Sequence, residues 1–112
     1  MAHRSATGKA RQQYEVLRPL VDGLYVDMQK LASRKQEGAF SKNRIAMTNK
    51  LLKAVKDLLV DEPSSEFLEL LDEELIPTNG DVLLILGQYR SAMEHFWNKY
   101  TTDDYGGRQW AE

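Results

Sequence analysis

The side chains able to do chemistry in this sequence are few and unevenly placed. Arg90 and His95, a guanidinium and an imidazole, stand five residues apart in one apolar-periodic run. Glu62, Glu66, Glu69 and Glu73 follow one another at gaps of four, three and four residues, which on a helix makes a single carboxylate stripe suited to a basic partner. Lys42, Lys50, Lys53 and Lys56 form the basic counterpart, suited to nucleic-acid phosphates or to an acidic protein. The only other histidine is His3, so local spacing builds no His-ligated metal cluster. With no cysteine there is no thiol nucleophile, disulfide or thiolate metal site. No glycine-rich phosphate loop or serine nucleophile elbow is present, and no cofactor is expected.

Arg90-Ser91-Ala92-Met93-Glu94-His95 has the arginine, four residues, histidine spacing of the HEPN domains and in this resembles them. Those domains are all-α bundles of similar size that often act as ribonucleases. The resemblance implies that Arg90 stabilises an RNA phosphate and His95 acts in proton transfer, the two meeting across a dimer cleft. The chain departs from that pattern at Ser91, where the family prefers Asn or Asp, and in having no helix after the motif. At 3.6 residues per turn Arg90 and His95 lie about 140° apart, so they flank the helix from different sides. His95 reads as a solvent-facing residue near Gln88 and Ser91. Glu66-x-x-Glu69 is similar to the Glu-rich motifs with which helical nucleotide pyrophosphohydrolases hold magnesium, but the second such motif is missing. Those carboxylates read as a solvated acidic face.

Charge divides at the midpoint of the chain. Residues 1–56 hold twelve Lys/Arg against four Asp/Glu, and residues 57–112 hold three against thirteen. The balances of +8 and −10 leave the formal net charge at −2. Such asymmetry points to a polyanion, to an oppositely charged partner, or to the chain's own other half. The sequence leaves open whether the basic and acidic faces meet within one molecule, between protomers or on another protein.

Four segments with helical period must position these groups. Tyr14, Leu17, Val21, Leu24, Met28 and Leu31 alternate gaps of three and four, predicting a helix over about 9–36. Pro19 either opens that helix or kinks it, and the sequence does not decide. Ser41 can cap a second helix, about 41–60, with Phe40 packing over its first turn. Its apolar face runs through Ile45, Thr48, Leu52, Val55 and Leu59, with the lysines opposite. A short helix over 65–75 would bury Phe67, Leu68, Leu71 and Leu75 and end before Pro77. Thr78 and Asp81 form a capping box for the last helix, about 79–100, where Val82, Leu86, Tyr89, Met93, Phe96 and Tyr100 supply much of the core.

Short connections make these segments antiparallel neighbours. The expected fold is therefore all-α, a single-domain antiparallel bundle of four helices over residues 1–100, with a flexible C-terminal tail over 101–112. In that tail Tyr105 and Trp110 are either a docking motif or an idle chain end. The composition, 42% hydrophobic and 29% charged, is that of a soluble globular chain. No apolar stretch of signal or membrane-span length occurs, so no membrane association is expected and a cytoplasmic location follows by elimination. The function expected is that of a non-catalytic helical interaction module, an adaptor, regulator or complex subunit that contacts a protein partner or a second copy. The alternatives are nucleic-acid backbone binding through the basic half and a HEPN-like ribonuclease using Arg90 and His95.

Overall fold

A computed structural model describes residues 6–104 and 106–111; His3 and Tyr105 lie outside the described residues. Helix α1 (Gly8–Arg34) is followed by α2 (Lys42–Leu58), a 3-10 turn (Pro63–Phe67) and α3 (Asn79–Tyr100), then by β1 (Thr101–Asp104) and β2 (Gly107–Trp110). The molecule measures 47 × 26 × 20 Å. Its core collects the periodic residues of the three helices, among them Val21, Met28, Ile45, Leu52, Val55, Val82, Leu86, Tyr89 and Met93.

Helix α1 runs unbroken through Pro19. That residue is exposed, so the carbonyl four residues earlier that it cannot serve lies on the solvent side. The caps form at the positions the sequence indicates. Ser41 accepts from the Arg44 amide, and Thr78 and Asp81 complete a reciprocal capping box. The start of α3 is hooked onto the end of α1: the Asn79 amide donates to the Gly38 carbonyl at 2.8 Å, the Asn79 side chain to the Lys35 carbonyl at 2.9 Å, and the Gly80 amide to the Gln36 carbonyl at 3.0 Å. Gly38 sits close against this junction: a Cβ there would stand 2.9 Å from the Asn79 side-chain nitrogen and 3.2 Å from the Lys35 carbonyl oxygen, so the Asn79 side chain would have to shift.

The four-helix bundle does not form: among the described residues there are three α-helices, and no α-helix occupies 65–75. After the 3-10 turn the chain runs as an irregular extended strap, antiparallel to α2. It is tied from Leu68 to Lys56, from Leu71 to Asn49 and from Pro77 to Phe40. The reason is reach. Returning from Lys56 to Phe40 along α2 covers about 24 Å at 1.5 Å per residue. Eleven residues of helix would span only about 16 Å, whereas extended chain gains about 3.3 Å per residue. Leu68 and Leu71 turn inward and are buried, while Phe67 and Leu75, expected in the core, are 74% and 76% exposed.

Nor is the C-terminal segment a flexible tail. β1 and β2 pair antiparallel, with Thr101 opposite Trp110 and Asp104 opposite Gly107, and Gly107 takes a positive φ of 101°. The hairpin folds back onto the helices. The Trp110 ring lies edge-on to Trp97 at 4.9 Å and to Tyr14 at 5.3 Å, its indole N–H donates to Glu15, and Arg11 donates to the Ala111 carbonyl at 2.6 Å.

The strap is secured chiefly by Asn49, whose side-chain amide donates to the Leu71 carbonyl at 2.9 Å and accepts from the Leu71 amide at 2.8 Å, both inside the protein. Asn49→Ala would leave two buried backbone groups without partners, a loss of about 2–4 kcal/mol. The expected result is a lower urea midpoint and faster proteolysis within 66–76. Wild-type stability in this variant would show that the clamp carries no weight.

Candidate functional site

One open concavity on the surface is a groove between α1 and α2. Their apolar stripes are wider than their mutual contact, so Leu20, Leu24, Met28 and Leu31 of α1 and Met47 and Leu51 of α2, with Phe40, line an open trough. Met28 and Phe40 are buried at its base, whereas Met47 on its lip is 74% exposed. Lys30, Arg34 and Arg44 stand along the same trough with a single carboxylate, Asp27. Among the described residues none of these three cations enters an ion pair. Sequence reading did not place this site, because the apolar period of one helix does not show which part of its stripe a neighbouring helix leaves uncovered.

The lysine face of α2 is split by the strap. Lys42, Lys50 and Lys53 are exposed and unpaired among the described residues, while Lys56 donates to the Leu68 carbonyl at 2.5 Å. The four glutamates expected in one stripe are separated, since no helix carries them. Glu66, Glu69 and Glu73 are exposed. Glu62 is buried at 6% exposure, with one oxygen accepting from Lys99 at 3.0 Å and from the Tyr100 hydroxyl at 3.4 Å. The hydrogen bond to Glu62 outweighs desolvation and holds the Lys99 pKa above its ordinary value. Neither the lysines nor the exposed glutamates pair with each other within 4 Å among the described residues.

Arg90 and His95 border the same open concavity around α3, but Arg90 is engaged elsewhere. Its guanidinium donates to Asp22 at 3.1 Å and stacks over the Tyr25 ring at 4.6 Å. Arg18 joins the same network, bonded to Asp22 at 3.0 Å, to Glu94 at 2.8 Å and to the Tyr14 hydroxyl at 2.6 Å. Burial works against the Arg18 charge, but the bonds to Glu94 and Asp22 prevail and raise its pKa. Burial also raises the Tyr14 pKa, against the opposing pull of Arg18. His95 is exposed. These groups zip α1 to α3, a use of Arg90 that spacing along one helix could not disclose. The aromatic stripe of α3 is structural too, with Phe96 and Trp97 stacked against Tyr14 at 5.7 and 5.6 Å.

No group of three or more His, Cys, Asp or Glu residues able to hold a metal occurs among the described residues. No helix among the described residues is long and apolar enough to cross a membrane.

On the α3 side the strap is held by Tyr89, whose hydroxyl donates to the Glu69 carbonyl at 2.8 Å. Burial, with the Glu69 charge adding to it, pushes its pKa from 10.0 up to about 12. The folded protein therefore keeps this proton where unfolded chains have lost it, so stability is retained below pH 10 and lost as pH rises through 12. Tyr89→Phe is expected to cost about 1 kcal/mol at neutral pH and to flatten the decline between pH 10 and 12 in urea unfolding. Parallel declines in both proteins would contradict this. Comparison with protein-family models, with characterised proteins and with solved structures gives no match.

Proposed function

We propose that this chain is a non-catalytic helical interaction module that receives a protein segment in the groove between α1 and α2. The observation that carries this reading is an apolar trough open to solvent and bordered by three cations that enter no ion pair among the described residues. Apolar grooves of this kind suit a segment with alternate apolar anchors. Each buried Leu- or Ile-sized anchor is worth about 1.5–3 kcal/mol. The exposed cations add only about 0.2–1 kcal/mol each as ion pairs, so they select an acidic ligand more than they bind it.

A second reading, phosphate-backbone binding of nucleic acid, is favoured by one observation, the exposure of Lys42, Lys50 and Lys53 without ion-pair partners among the described residues. Against it, Lys56 is spent on the strap, and the three remaining lysines carry no interleaved aromatic for base stacking.

A photo-crosslinking side chain at Met47, on the lip of the groove, is expected to give a protein adduct in cells. The same group at exposed Asp57, outside the groove, is expected to give none. Leu20→Glu should reduce the Met47 adduct. If Met47 yields no protein adduct of any kind, the groove reading fails. A mixed oligonucleotide bound at low salt and released by Lys50→Glu with Lys53→Glu would instead support the second reading.

A further inference from the structure

We propose that the occupant of this groove is a second copy of the chain, which inserts its own 72–76 loop. The inference rests on the groove reading and names its ligand. Asp72 closes the loop by accepting from the Glu74 amide at 2.8 Å and the Leu75 amide at 3.0 Å, and these bonds hold its pKa below the ordinary carboxylate value. The loop carries Leu75 at 76% and Ile76 at 46% exposure beside exposed Glu73 and Glu74. An apolar knuckle flanked by carboxylates thus stands on the same molecule as an apolar trough flanked by Lys30, Arg34 and Arg44. Both surfaces are free of ion pairs among the described residues, so neither is neutralised by the fold itself.

The loop leaves the strap beyond Leu71, which Asn49 holds, and ends at Pro77, whose carbonyl accepts from the amide of the groove residue Phe40 at 3.0 Å.

Light scattering after size exclusion tests this on the whole chain. The expected result is a weight-average mass that rises above 12.9 kDa with concentration and falls back in high salt. Two paired variants separate the halves of the contact, Arg44→Ser with Met47→Asp in the groove and Leu75→Ser with Ile76→Ser in the loop. All four residues are exposed, so wild-type circular dichroism is expected. Each pair alone should be monomeric. Mixed in equal amounts, the live loop of one and the live groove of the other should form a complex of two chains that grows no further. A wild-type protein that stays monomeric at every concentration, variants that still self-associate, or a mixture that stays monomeric would each overturn the proposal. A Met47 adduct to a different protein, with the wild type monomeric, would overturn self-association while leaving the groove reading in place.

Discussion

The chain must return from the end of α2 to the start of α3, and the two hydrogen bonds between Asn49 and Leu71 fix how it does so. An extended segment laid against helices has no neighbouring strand to satisfy its peptide groups, and a buried peptide group needs a partner. Here side chains act as that partner: Asn49 on both polar groups of Leu71, Lys56 on the Leu68 carbonyl, and Tyr89 on the Glu69 carbonyl. Donors from α2 and α3 thus grip one strap from two sides. Leu68 and Leu71 can then point into the core while Glu69 faces water. Because α2 and α3 meet largely through this strap, its release would loosen the groove floor along α2 as well as the strap itself.

What could be read from the sequence follows from which forces are local. The apolar period of α1, α2 and α3, the Ser41 cap and the Thr78/Asp81 box depend on neighbours a few residues away, and all are present. The strap was misread because Phe67, Leu68, Leu71 and Leu75 carry helical spacing, while the span they must bridge is set by the length of α2. A buried Asn49 midway along α2 was the available sign that a backbone, not another helix, lies against that face. The hairpin had a local signal in Gly106-Gly107, but its docking comes from Tyr14 and Glu15, far away in sequence. The same limit applies to the candidate site. The Arg90 and His95 spacing was visible, whereas the engagement of Arg90 by Asp22 and Tyr25 is a product of tertiary packing.

The charge asymmetry survives folding nearly intact. Of the four ion pairs among the described residues, only Arg18–Glu94 and Arg90–Asp22 join the basic half to the acidic half, while Arg18–Asp22 and Lys99–Glu62 stay within one half. The small net charge therefore conceals a basic groove between α1 and α2 and a strap with exposed Glu66, Glu69, Glu73 and Glu74. Such a molecule repels its copies in some orientations and attracts them in others, which favours register over raw affinity.

Range then decides the division of labour between charge and apolar surface. At physiological salt the field of either face is screened within about 8 Å, much less than the 47 Å length of the molecule. In the proposed self-association, charge would therefore orient two copies only once they are nearly in contact, and the energy that retains them would have to come from burial. Leu75 and Ile76 on the loop and Met47 and Leu20 on the groove are the exposed apolar side chains that stand beside those charges. A groove whose rim selects and whose floor retains needs both features on one surface, and the two helices supply them because each carries an apolar stripe broader than its packing requires.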